Sequence, residues 1–172
     1  MISNLGNYLN EVRGKEKIVY LNKDGRELIA SINEVKKSIL FDHMLLANEA
    51  YIYFSCPQTW QREYTFEMTK DPEYAFAIQV NGIKPTVKKR LVSDAVFTHN
   101  GYVHLVEIDN TREMKDNIKK IKTYEDMWDD IQEKYQMQPI LYFFTTSESR
   151  KRKLNAALKN LNAEVLTFND IK

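Results

Sequence analysis

The sequence predicts an α/β domain in which a mixed β-sheet is flanked by helices, and three observations carry that reading. Residues 93–109 alternate apolar and polar side chains on either side of Asn100-Gly101. That dipeptide closes tight antiparallel hairpins, because the turn needs positive φ. Residues 113–135 place Met114, Ile118, Ile121, Tyr124, Trp128, Ile131 and Tyr135 at three- and four-residue spacing, the period of an amphipathic helix. The remainder reads strand (139–145, continuously apolar), helix (from Ser147 through 161) and strand (163–168). Strands separated by helices favour parallel pairing and the hairpin is antiparallel, so the sheet is mixed.

The other elements follow in order. Ser3 caps a predicted helix through about residue 12, with Leu5, Tyr8, Leu9 and Val12 on one face. Arg13-Gly14-Lys15 breaks it, residues 17–21 form a short strand, Asn22 to Gly25 turn, and residues 26–32 begin another helix. Residues 35–54 read as a long, mostly buried helix, ended by Pro57. Residues 63–68 alternate as a strand, 72–76 form an irregular or short helical piece, and 77–80 form a strand before an Asn81-Gly82 turn. In the helix after Ser147, Leu154, Ala157, Leu158 and Leu161 point inward. Tyr51, Tyr53, Phe54 and Trp60 read as core rather than as a platform for stacking bases.

Composition bounds the function. With 172 residues, 43% of them hydrophobic, the chain can bury one good core with a small appendage. Twenty-five basic residues against 24 acidic ones leave a net charge of +1, so only local clusters can point to a polyanionic partner. The single cysteine, Cys56, excludes an internal disulfide and a cysteine-based zinc site. It reads as a buried small hydrophobe in a reducing, cytoplasmic protein. Residues 1–9 lack a signal-peptide pattern, and Asp42, His43, Asn48 and Glu49 interrupt the longest apolar stretch, so no membrane span is expected.

The polar exceptions within the hairpin hold the best functional lead. Asp94 opens its first arm, and Glu107 and Asp109 close the second, so the fold brings three carboxylates to one end of the sheet. Glu107 and Asp109, two apart on a strand, share a face. Such a cluster needs a cation, a basic side chain or a proton to offset its repulsion. Basic groups occur nearby in sequence: Lys84, Lys88, Lys89 and Arg90 before the hairpin, Arg112 after it, Lys115, Lys119 and Lys122 at helical spacing, and Arg150, Lys151, Arg152 and Lys153 at a helix start. Cations at a helix N-terminus are unfavourable by themselves and ask for Glu148 or a bound phosphate as an offset. These clusters are candidate phosphate contacts of a DNA-binding surface. His43, His99 and His104 are scattered and suggest neither a metal site nor a nucleophilic pair.

The element order with carboxylates on the hairpin is similar to the restriction-endonuclease-like fold and its PD-(D/E)xK motif. Ser93-Asp94 stands at "PD" and Glu107-Ile108-Asp109 at "(D/E)xK". More specifically, the chain resembles the replication-relaxation family of plasmid and mobile-element proteins. The resemblance rests on I-V-Y-L-N-K-D-G-R-E-L-I, S-D-A-V-F, L-V-E-I-D-N-T-R-E, I-K-K-I-K-T-Y and L-Y-F-F-T-T-S-E-S-R-K-R-K-L, in that order. It implies a partial winged-helix segment over 1–34, with 4–12 as the recognition helix and 13–21 as the wing, and a restriction-endonuclease-like domain over 35–172. The two helices that open such a module have no counterpart before residue 4.

For chemistry, the resemblance implies Asp94 and Glu107 as ligands of Mg²⁺ in phosphodiester hydrolysis. Asp109 replaces the motif lysine, so the missing cation would have to come from Lys119, Lys120 or Lys122 on the next helix. The reading taken forward is a DNA-binding accessory protein of plasmid replication or relaxation, on a catalytically inactive nuclease-like scaffold. It would work on double-stranded DNA, alone or as a homodimer, alongside replication or relaxase proteins. The alternatives are a divalent-metal-dependent nuclease or nickase, and a protein-interaction module.

Overall fold

The computed structural model describes residues 6–13, 17–31, 41–70, 87–110 and 112–171. The chain divides into two units, Met1–Phe41 and Asp42–Lys172.

In the first unit a 3-10 turn, Gly6–Tyr8, leads into β1 (Leu9–Arg13), which pairs antiparallel with β2 (Lys17–Leu21) from Leu9↔Leu21 to Arg13↔Lys17. A short helix, α1 (Lys23–Leu28), follows. The predicted helix over 3–12 is therefore corrected: its second half is a strand. The five residues of β1 gain a full ladder from β2, whereas an isolated helix this short has little to stabilise it. The Asn22 side chain caps α1 by accepting from Gly25 N at 2.9 Å. Gly25 is required by packing, since a Cβ there would stand 2.2 Å from the carbonyl oxygen of Tyr8.

The second unit is built on a five-stranded sheet. Helix α2 (Phe41–Tyr53) leads to β3 (Gln61–Lys70), β4 (Val87–His99) and β5 (Tyr102–Asp109), then α3 (Met114–Tyr135), β6 (Gln138–Thr145), α4 (Glu148–Ala157) and β7 (Ala163–Thr167). Strand order is β3-β4-β5-β6-β7. The β3–β4 and β4–β5 pairs are antiparallel, and β5–β6 and β6–β7 are parallel. This is a mixed sheet flanked by helices. Asn100 and Gly101 both take positive φ, 49° and 80°, and close the hairpin as its sequence requires. The expected pieces over 71–86 and the start of the long helix, 35–40, lie outside the described residues.

Each face of the sheet has its own core. On one, Val103, Leu105, Leu141 and Phe143 pack with Ile121, Tyr124, Met127 and Ile131 of α3 and Leu154 of α4. On the other, Ala95, Phe97, Val106, Ile108 and Phe144 pack with Leu46, Ala47 and Ala50 of α2. The aromatic residues after α2 belong to this second core: Phe54 lies 4.8 Å from Phe97 and 4.9 Å from Tyr142 between ring centroids. Cys56 departs from expectation and is exposed. It follows the end of α2 in a turn where Ser55 and Cys56 both have positive φ, which carries the side chain outward. Among the described residues, no helix is long and apolar enough to cross a membrane.

Candidate functional site: a carboxylate cluster beside a basic cleft

A local distortion of β4 sets up the site. Leu91 and Val96 pack in one core while Ala95 and Phe97 pack in the other, so the alternation slips between residues 91 and 95. The β3–β4 ladder skips Glu63 and Asp94 at this point, and Glu63 has φ 49°. Ser93 Oγ lies 2.9 Å from the Ala95 carbonyl oxygen and 3.1 Å from that of Val106, sharing one proton between them. The register is the same on both sides of the gap, so no residue is inserted, but the break in pairing re-aims a side chain. Here the redirected residue is Asp94, whose Oδ2 accepts from the backbone N–H of Ile108 at 2.7 Å. Its Oδ1 lies 3.6 Å from Nε2 of His43, which α2 supplies.

Glu107 is buried with 1% of its surface exposed. Tyr124 donates its hydroxyl to Oε1 at 2.5 Å, and the Lys120 ammonium donates to Oε2. Burial raises the Glu107 carboxyl to about 7, against the charge of Lys120 and with help from the nearby charge of Asp94. For Asp94 burial acts in the same upward direction, but the bond from His43 and the charge of Lys120 outweigh it and hold the carboxyl below its usual range. His43 is raised in turn by Asp94.

Asp109, the third carboxylate, has a different environment. Arg150 grips it with Nε at 2.6 Å and Nη2 at 2.5 Å, Asn117 Nδ2 donates at 2.7 Å and Thr145 Oγ1 at 2.8 Å. These donors outweigh burial and lower its carboxyl below the ordinary value. Arg150 Nη2 also donates to the Arg112 carbonyl at 2.6 Å, so one guanidinium ties the end of β5, the segment after it and the start of α4 together. This internal pairing, with Glu148 in the first turn, offsets the cations at the start of α4.

The structure sorts the predicted residues. Lys120, rather than Lys119 or Lys122, is the lysine that turns to Glu107. Helical geometry explains it: Asn117, Lys120, Ile121 and Tyr124 fall on one side of α3, and Lys119 and Lys122 are exposed. Of the proposed DNA contacts, Lys84 lies outside the described residues. Arg150 is committed to Asp109, Lys151 pairs with Asp170 at 2.7 Å, and Lys89 pairs with Asp126 at 3.0 Å. Lys88, Arg152 and Lys153 are exposed. Arg90 and Arg112 come together with Lys119 and Lys120 on a cleft of about 320 Å³ between β4 and α3, with Asp116 and Thr123 on the same lining. Sequence reasoning missed His43, Asn117, Tyr124 and Thr145 as partners of the carboxylates. For Asn117 a signal existed, since it occupies a buried position of α3.

The nuclease-like motif implies a divalent metal, and the donor set does not fit one. Mg²⁺ requires several accessible oxygens in near-octahedral array. Both Glu107 oxygens and both Asp109 oxygens are occupied by protein donors, as is one oxygen of Asp94. Among the described residues no three His, Cys, Asp or Glu side chains are grouped to hold an ion.

No protein-family model and no curated protein matches the chain. Among solved structures, the chain is similar to the small subunit of a heterodimeric restriction endonuclease, with 13% identity and a TM-score of 0.42, over 84% of this chain and 70% of that one.

Proposed function

We propose that this protein is a DNA-binding accessory factor of plasmid or mobile-element replication and relaxation, built on a nuclease-like scaffold that does not cleave. The observation that carries the reading is the convergence of Arg90, Arg112, Lys119 and Lys120 on one cleft. Arg112 and Lys119 bring charge to the cleft lining beside Asp116, while Arg90 lies 3.8 Å from Glu67 and Lys120 donates to Glu107, so the positive field is local and partly compensated. Phosphate contacts of this kind supply sequence-independent affinity and position a duplex. A scaffold that does not cleave is supported by carboxylates already held by protein donors: Lys120 and Tyr124 on Glu107, and Arg150 on Asp109. The setting comes from the sequence resemblance to the replication-relaxation family. The partners that follow are double-stranded DNA and the replication or relaxase proteins that act on it. β2 followed by α1 supports a wing-like role for 13–21, while β1 takes up residues 9–12 of the recognition helix expected over 4–12.

The test is fluorescence anisotropy with a labelled duplex across a salt series, on the wild type and on Arg90→Ala/Arg112→Ala. Binding should fall steeply with salt. Each lost phosphate contact should flatten the log–log slope by about 0.9. No binding at low salt would sink this reading and direct attention to protein partners.

A further inference from the structure

We propose that the cleft between β4 and α3 seats a backbone phosphate of DNA without a divalent cation, the Lys120 ammonium supplying the buried positive charge that a metal provides in nucleases. The proposal rests on the DNA-binding reading above and specifies how its site works.

Lys120 lines the cleft, yet its side chain is only 14% exposed, because it leans on the buried Glu107. An ammonium carries three N–H donors. Among the described residues, Lys120 donates only to Glu107, which leaves donors for a second acceptor. Glu107 thus fixes the cation in place rather than serving as a ligand itself. Its second oxygen is closed by Tyr124, which keeps the carboxylate from turning into the cleft.

A divalent ion placed between Asp94 and Glu107 would meet the Lys120 charge and compete with it for the same oxygen. The fixed cation and the metal are therefore alternatives. Arg90, Arg112 and Lys119 complete the seat. The Arg90 side chain is 68% exposed, in an open pair with Glu67 at 3.8 Å, and Lys119 and Arg112 are exposed as well, so they suit the flanking phosphates.

The experiment uses the full chain and a fluorescein-labelled duplex, with anisotropy read in EDTA and in Mg²⁺ at matched ionic strength. Mn²⁺ binding to the protein alone is read by electron paramagnetic resonance. The expected result is an affinity equal within about twofold in the two buffers, and no stoichiometric Mn²⁺ site. Lys120→Met should weaken DNA binding by about tenfold or more, and Lys159→Ala, on an exposed residue beyond α4, should leave it unchanged. If Lys120→Met fails to fold, the buffer comparison on the wild type decides by itself. Binding that collapses in EDTA and returns with Mg²⁺, or a Mn²⁺ site abolished by Asp94→Asn, would overturn this inference while leaving DNA binding intact. No DNA binding in either buffer would overturn both.

Discussion

Arg150 reaches across 41 residues of sequence to grip both oxygens of Asp109, with Nε at 2.6 Å and Nη2 at 2.5 Å. The Asp109 side chain is wholly buried and that of Arg150 is 25% exposed, so this pair joins β5 to α4 away from solvent. Asp109 thereby acts as a structural anchor.

Removing one partner of that pair should be costly. Arg150→Met leaves a buried carboxylate with only Asn117 and Thr145 and should lose about 3–5 kcal/mol of stability, measured by urea unfolding. Arg150→Lys restores charge without the planar fork and should recover only part of the loss. Asp109→Asn combined with Arg150→Met should cost less than the sum of the two single changes.

Glu107 should make stability fall as pH rises. Its folded carboxyl stands near 7 against an ordinary value of 4.5, so the folded state binds the proton more tightly than the unfolded state. The stabilisation is complete below the unfolded value and is lost as pH rises through the folded one. Between pH 4.5 and 7 the loss should be on the order of 2–3 kcal/mol. Denaturation at a series of pH values should show this slope in the wild type and a flattened one in Glu107→Gln. A wild-type curve rising through this window would contradict the buried-carboxyl picture.

His43 should titrate above its usual value of 6.5, because Asp94 favours its protonated ring. Proton NMR of the imidazole resonances measures this directly. In Asp94→Asn the value should drop toward or below the ordinary one, since burial then acts unopposed by that carboxylate.

Phe54 should matter to folding and not to DNA. Its ring meets Phe97, Tyr142 and Phe144 at centroid distances of 4.8, 4.9 and 5.8 Å. Phe54→Ala should cost about 3 kcal/mol, the low end for aromatic truncation because the ring is half-buried. Its DNA affinity and salt slope, read under conditions where it is folded, should match the wild type. A selective loss of affinity would instead mark Phe54 as a stacking residue.

The hairpin and α3 were legible because their signals are local. Asn100-Gly101 requires positive φ whatever surrounds it, and the apolar spacing from Met114 to Tyr135 requires a helix with one buried side. The strand at β1 was not legible, because Leu9, Asn10, Glu11, Val12 and Arg13 suit a short helix or a short strand equally. Pairing with β2 made the choice. Exposure of Cys56 was likewise set by a turn of two positive-φ residues, which no side-chain pattern announces.

The sequence by itself determined a mixed sheet flanked by helices and placed Asp94, Glu107 and Asp109 at one end of a hairpin, since turn chemistry and period-two alternation act over a few residues. Only the tertiary structure decided what those carboxylates do. Lys120 and Tyr124 come to Glu107 from a helix whose facing depends on core packing, and Arg150 comes to Asp109 from a helix that follows the next strand. Whether a buried carboxylate stands open to a ligand or is closed by protein donors depends on partners distant in sequence, and that balance follows from how the layers pack.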